Sequence, residues 1–394
     1  MQFDRKTYRL TDAGNYGRIA LVIGIAGLVA SAVGYFTDSA QFFHSYLTAC
    51  FFWLSLGLGG LFFTMLHHLV DAKWSIVLRR LSENIMMTVP IMAILFIPLL
   101  FGIKDLFHWS HPEQVAVDHL LQSKAPYLND TFFIIRTVLY FMVWCLLAFV
   151  LNKYSLQQDR AHNDGLFRKM RIVSAPGMIL FALSITFAGF DWLMSLDAHW
   201  YSTIFGVYVF AGSLLAMLAF LTYSIFSLQS NNILTDVITP EHHHDLGKLL
   251  FAFTVFWAYM AFSQYFLIWY GNIPEETVWF IERWETSWKI ISLIIVFGHF
   301  VVPFLVLFPA GAKRHRSVLV IVSLWLLVMH WVDLHWLVMP SLHHHGVHFS
   351  WMDPVTMIGI GGIFVWFFRR RTAAKPLVPI NDPGLGESIR FINH

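Results

Sequence analysis

The chain repeats one feature ten times: an apolar run of about twenty residues, the length an α-helix needs to cross a hydrocarbon layer of roughly 30 Å. The runs are approximately Gly17 to Phe36, Phe43 to Val70, Ile85 to Leu106, Thr131 to Leu151, Val173 to Leu196, Ser202 to Leu228, Leu249 to Tyr270, Trp288 to Phe308, Val318 to Met339 and Pro354 to Phe368. A single soluble core cannot absorb them. Of 394 residues 57% are hydrophobic and only 13% charged, so lipid is the solvent for most of the surface. In lipid the backbone must pair with itself, which at these lengths means helices. The expected fold is all-α, a polytopic membrane protein of about ten transmembrane helices. It divides into an N-terminal segment 1–16, a membrane domain 17–371 and a tail 372–394. The residues before the first run are polar and that run is long enough to span, so no cleaved signal is expected.

Orientation follows from the basic residues. The N-terminal segment holds Arg5, Lys6, Arg9 and Arg18, and the second connection Lys73, Arg79 and Arg80. The fourth holds Lys153, Arg160, Arg168, Lys169 and Arg171, the sixth Lys248, and the eighth Lys313, Arg314 and Arg316. The tail adds Arg369, Arg370, Arg371, Lys375 and Arg390. These are 21 of the 26 Lys and Arg residues, all on alternate sides of ten spans. The positive-inside rule then places both termini in the cytoplasm. Cys50 and Cys145 lie in apolar runs without partners at metal or haem spacing, so no iron-sulfur cluster, covalent haem or other redox centre is expected in this chain.

Most connections are short, as between antiparallel neighbours in a bundle. Two are longer: an outer segment from Ile103 to Asp130, in which Glu113 to Ser123 suits a short surface helix, and a polar, basic inner segment from Asn152 to Arg171 that reads as a solvated loop. The tail, with Pro376, Pro379 and Pro383, reads as an extended arm. Small residues at four-residue spacing mark the first helix (Gly27 with Ser31, Ala30 with Gly34), and glycines mark the last (Gly359, Gly361, Gly362). Such faces let a second helix approach closely, within the chain or across a subunit interface.

Ionisable groups inside a membrane are costly, and each is a candidate for function. They collect towards the outer side: Asp191, Asp197, His199, Gln264, Glu282, Glu285, Lys289, His330, Asp333 and His335, with His299 deeper. Glu285, Lys289, Ser292 and His299 form a stripe at intervals of four, three and seven, and His330 and Asp333 share a helix face. A histidine beside a carboxylate can hold or pass a proton near neutral pH, which suits a proton relay or a quinol headgroup. At the inner end of the second helix His67, His68 and Asp71 suit a proton entry. The candidate proton path is therefore His67, Asp71, Asp191, His299 and Asp333. Asp197, His199, Gln264, Glu285, Lys289 and His330 form a candidate outer, quinol-side cluster. The plainer alternative is a set of satisfied hydrogen bonds that hold the bundle together. No side chain is assigned a catalytic role. The clusters His242 to His244 and His343 to His345 fall outside the expected spans, and adjacent histidines rarely aim at one ion, so no metal site is assigned. The tryptophans and tyrosines near the outer ends read as an aromatic belt.

Three stretches carry a resemblance: Phe190-Asp-Trp-Leu-Met-Ser-Leu-Asp-Ala-His-Trp-Tyr-Ser-Thr-Ile-Phe-Gly206, Leu267-Ile-Trp-Tyr-Gly-Asn-Ile-Pro-Glu-Glu276 and His330-Trp-Val-Asp333. In these motifs, their order, its length and its helix count, the chain resembles the second of the two quinone-binding membrane subunits of bacterial alternative complex III, over nearly its whole length. The resemblance implies an NrfD-like membrane subunit, related to that of polysulfide reductase, with two four-helix bundles in a bacterial inner membrane. It implies a respiratory quinol:cytochrome c oxidoreductase that oxidises menaquinol on the outer side and passes electrons to a cytochrome or directly to a terminal oxidase. The implied partners are a multihaem cytochrome c and a monohaem cytochrome c, which hold haem c, an iron-sulfur subunit, which holds the iron-sulfur clusters, and a sister NrfD-like subunit. The family is named for quinone binding, yet the stronger implied role of this member is scaffold and proton conduit. Beyond these partners only the lipid bilayer is expected, and no nucleic acid. A secondary transporter is the rival class; it predicts helices broken by Gly or Pro at matching places in two halves, and Pro90, Pro98 and Pro303 supply no such pair.

Overall fold

The computed structural model describes residues 8–10, 15–160 and 164–392. Ten helices are long and apolar enough to cross a membrane: α1 (Tyr16–Thr37), α2 (Ser39–Val70), α3 (Ile76–Phe101), α4 (Asp130–Gln158), α5 (Gly165–Leu196), α6 (Phe205–Gln229), α7 (Pro240–Gly271), α8 (Trp288–Leu307), α9 (Arg316–Ser341) and α10 (Met352–Ala374). The described residues contain no strand. The all-α, polytopic membrane fold is therefore what this sequence forms.

Helices α2, α3, α4 and α5 pack in a closed ring, and α6, α7, α8 and α9 close a second. The rings meet along α2 and α6, the two most enclosed spans, while α1 and α10 lie together on the outside of α2. With ten spans both termini emerge on one face, called the terminal side below; the other is the far side. The glycines of α1 and α10 meet each other: a Cβ on Gly27 would stand 2.7 Å from the Gly359 Cα. Between helices that both face lipid, this backbone approach supplies the dispersion contact that holds the pair.

Several connections differ from the sequence reading. Helix α4 runs on to Gln158 and α5 starts at Gly165, so the expected solvated loop is mostly helix; residues 161–163 lie outside the described residues. The outer segment carries two short helices, Pro112–Val117 and His119–Lys124, separated at Asp118, which caps the second by accepting the Leu120 and Leu121 amides at 2.8 and 3.1 Å. Helix α7 starts at Pro240, so His242 to His244 lie in its first turn. The tail is a strap over the terminal side. Leu377 N–H donates to the Tyr8 carbonyl at 2.9 Å, Asn381 to the Asp159 carbonyl at 2.9 Å, and Ser388 Oγ to the Trp74 carbonyl at 2.8 Å. His242 Nε2 lies 2.9 Å from the Ser388 carbonyl, so the strap links the first bundle to α7 of the second.

Beneath the strap sits a buried ionic cluster. Arg79 and Arg80, at most 1% exposed, flank the fully buried Glu83 at 3.3 and 3.0 Å. Arg79 also pairs with Asp382 of the strap and Arg80 with Asp159, each at 2.6 Å. Ser155 donates to Glu83 Oε2 at 2.8 Å. Burying a guanidinium is costly and a carboxylate against it offsets much of that cost; the tail supplies one such carboxylate.

Candidate functional site

The second bundle holds a polar ladder. On α9, Asp333 and His330 stand one turn apart on the inward face, both buried. The Tyr208 hydroxyl of α6 donates to Asp333 Oδ1. His330 Nε2 lies 2.9 Å from Ser55 Oγ of α2, so this ladder sits at the joint between the bundles. On α8, His299 lies against Trp257 of α7 with ring centres 3.9 Å apart. Gly212 of α6 leaves room for both partners: a Cβ there would stand 3.3 Å from His330 Cε1 and 3.6 Å from Trp257 Cδ1.

His299 owes its placement to a wide π-turn at Ile295–Val301. Pro303 has no N–H to offer the His299 carbonyl, and the turn before it widens. Trp325 Nε1 of α9 donates to the Gly298 carbonyl at 2.6 Å and ties the opened turn to its neighbour. Counting back from the far ends of their helices at 1.5 Å per residue, Tyr208 lies about 5 Å in, Asp333 about 12 Å, and His299 and His330 about 17 Å. The ladder thus runs from the far third to the membrane centre.

Further groups extend its line. Both ring nitrogens of His299, His330 Nδ1, Ser323 Oγ, His243 Nε2 and His244 Nδ1 are buried and accept or donate no hydrogen bond within the protein. Ser323 is two turns below His330 on the same face of α9, and the His243 and His244 pair opens α7 at the terminal side. Buried polar atoms are nearly always paired, with protein or with water, so these six are places in the second bundle where ordered water completes the pairing.

The other residues singled out in the sequence lie elsewhere. Asp191 is in the first bundle, fully buried, held by Arg136 through Nε at 2.8 Å and Nη2 at 3.0 Å and by the Tyr140 hydroxyl at 2.7 Å. This bidentate pair engages both oxygens of its carboxylate. His67 is buried at the end of α2 with Nδ1 2.8 Å from Ser75 Oγ, whereas Asp71 caps α2 in a left-handed conformation, φ 50°, and is exposed. Five residues grouped as one path thus fall in two bundles. Glu285 ends a separate interfacial helix, Pro274–Glu285, and is exposed, as is Lys289. The expected α8 stripe is broken by that boundary and by the π-turn.

Two hollows adjoin the ladder at the far side. A cleft of about 960 Å³ opens sideways between α7, the interfacial helix and α8, lined by Phe262, Trp269, Phe280, Phe300 and Gln264, with Tyr208 and Trp257 at its depth. Gln264 Oε1 accepts from Ser202 at 3.1 Å. A cavity of about 410 Å³ lies nearer the surface, lined by Asp197, His199, Asp118, Glu282 and His344 among others. In it His199 pairs with Asp118 and His344 with Glu282, each at 2.6 Å. The hydrogen bond from His199 and the capped amides hold the Asp118 carboxyl below its usual range. Arg283 lines both hollows. Burial pushes its guanidinium down to about 9, which leaves it charged at neutral pH.

Sequence reasoning missed Tyr208, Ser55, Trp257, Arg136 and Arg283, and the cluster of Arg79, Arg80 and Glu83. Only the last left a signal, since Arg79 and Glu83 are four apart and Arg80 and Glu83 three apart on one helix. Among the described residues no three His, Cys, Asp or Glu side chains gather as a metal site. No protein family matches the chain, and no curated protein does.

Proposed function

We propose that this chain is the membrane-embedded subunit of a respiratory quinol:cytochrome c or quinol:oxidase complex in a bacterial inner membrane, acting as scaffold and proton conduit. Electrons would be carried by haem c and iron-sulfur clusters of partner subunits, with menaquinol as the donor. The motif stretches ending in His330-Trp-Val-Asp333 support the family reading. The observation that carries the proton role is the Tyr208–Asp333 pair beside His330 and Ser55, buried where the two bundles join.

The chemistry is that of a relay. A carboxyl and an imidazole one helical turn apart each hold a proton and release it to water or to a hydroxyl. The unpartnered nitrogens of His299 and His330, the Ser323 hydroxyl and the ring nitrogens of His243 and His244 give a hydrogen-bonded chain its stations towards the terminal side. Asp333 and Tyr208 give it an end in the far third. A transporter would need the same groups but also a binding site framed by broken helices at matching places in two halves; α3 is interrupted at 87–88 and α8 by its π-turn, but these are the second span of one bundle and the third of the other.

The test is to purify the complex through a tag on this chain, record its haem spectrum, and compare menaquinol oxidation and proton uptake in vesicles for unaltered protein and Asp333→Asn. We expect c-type haem to copurify and proton movement per electron to fall at least tenfold in the variant. Haem with unchanged proton movement reduces the role to scaffold, and absence of haem removes the complex.

A further inference from the structure

Every other guanidinium at most 6% exposed in the described residues has a carboxylate: Arg79 has Glu83 and Asp382, Arg80 has Glu83 and Asp159, and Arg136 has Asp191. Arg283, 4% exposed, has none. Its Cζ lies 3.4 Å from the Trp279 ring centre and 5.1 Å from that of Trp336, and Nη1 donates to the Trp279 carbonyl at 2.9 Å. Nε is buried without an acceptor. The nearest acids, Glu282 and Asp197, line the outer cavity with it and act on it through space, but neither forms an ion pair with it, and Glu282 is paired with His344 at 2.6 Å. Stacking on tryptophan and these distant charges return only part of what it costs to bury the guanidinium, so it lacks the direct anionic contact that every other buried arginine has.

The place of this cation says what supplies it. Arg283 is on the interfacial helix at the far edge of the membrane, and it forms the inner wall of a cleft whose other lining is aromatic and aliphatic. The cleft opens between α7 and α8, where Tyr259, Phe262 and Phe297 are exposed on the lipid-facing surface. Asn272 and Thr277 lie near the headgroup end, and Glu285 is an exposed acid at the rim. An occupant must therefore be apolar over most of its length and anionic at the end that meets Arg283. A neutral quinone offers carbonyl oxygens but leaves the charge unbalanced.

We propose that the cleft between α7 and α8 binds an acidic phospholipid of the far leaflet, its acyl chains in the cleft and its phosphate on Arg283. This does not depend on the respiratory role. The site makes the lipid part of the wall between the Tyr208–Asp333 pair and the bilayer, since Tyr208 and Trp257 close the cleft's depth.

The full chain in nanodiscs containing equal phosphatidylglycerol and phosphatidylcholine is transferred to detergent, and retained lipid is counted by native mass spectrometry, with thermal melting as a check on folding. We expect phosphatidylglycerol to be retained about tenfold over phosphatidylcholine, as a charge-assisted contact gives. Arg283→Gln should bring the ratio below about twofold, and Arg283→Lys, which keeps the point charge but not the stacked plane, should hold it above about threefold. Ala258→Trp, which fills the cleft and keeps Arg283, should abolish retention of both lipids. Equal retention by unaltered protein, a preference that survives Arg283→Gln, or full retention in Ala258→Trp overturns the proposal. So does inorganic phosphate raising the melting temperature as phosphatidylglycerol does, which assigns Arg283 to a soluble anion, or menaquinone displacing phosphatidylglycerol, which returns the cleft to a quinone. If Arg283→Gln does not fold, Arg283→Lys and Ala258→Trp decide.

Discussion

Removing the Arg136 charge tests whether Asp191 is structural. Arg136→Met keeps the aliphatic stem and strips two hydrogen bonds, at 2.8 and 3.0 Å, from a carboxylate with 0% exposure. Only the Tyr140 hydroxyl at 2.7 Å remains. Breaking a buried pair from one side costs about 3–5 kcal/mol, because the surviving charge stays desolvated. Asp191→Asn strands the guanidinium instead, but Arg136 keeps the Tyr127 carbonyl at 2.8 Å and the faces of Tyr127 and Phe132 at 3.8 and 4.3 Å. That loss should be nearer about 2–3 kcal/mol. The double variant leaves no buried charge and should cost about 1–2 kcal/mol, so the coupling between the sites comes to about 4–6 kcal/mol. Reversible unfolding in mixed dodecyl maltoside and SDS micelles, followed by tryptophan fluorescence, measures all four proteins. Single losses that sum to the double within about 0.5 kcal/mol refute the ion pair as a stabilising unit. Loss of proton movement in Asp191→Asn at unchanged stability restores Asp191 to the proton path.

Two further predictions concern packing. Gly27→Leu should push α1 from α10, because the Cα of Gly359 stands 2.7 Å from where its Cβ would be; the thermal midpoint should fall and a disulfide engineered across the pair should no longer form. Asp382→Asn should leave Arg79 with Glu83 and the Gln158 side-chain oxygen Oε1 at 2.9 Å, costing about 2–3 kcal/mol, and it should expose the tail to limited proteolysis before the midpoint changes for the rest of the chain.

The spans were legible because lipid imposes length and apolarity on each helix separately, so a local signal suffices. The last one, expected over Pro354 to Phe368, runs over Met352–Ala374 because its Arg369 to Arg371 turn stays helical beyond the apolar stretch. Partnerships were less legible, since they depend on which helices become neighbours. Nothing near Asp191 names Arg136, 55 residues earlier, and nothing near His330 names Ser55, 275 residues earlier. The basic residues Arg79 and Arg80 entered the orientation count as solvated groups, yet here a tail 303 residues away covers Arg79. The α8 stripe failed for a different reason: helical spacing extends only while the helix is regular, and Pro303 widens the turn that carries His299.

The central place of α2 has a consequence for how the protein is made. It is the second span to leave the ribosome, yet its neighbours α5, α6, α9 and α10 are synthesised later, the last of them some 280 residues on. Until α9 and α10 arrive its inward polar groups Ser45 and Ser55 face lipid or whatever insertion machinery shelters them, since their cross-helix partners are Asp353 of α10 and His330 of α9. The strap that closes the first bundle is translated later still, after α10. A chain interrupted anywhere before Asp382 therefore carries an unfinished first bundle, with Arg79 short of one of its two carboxylates.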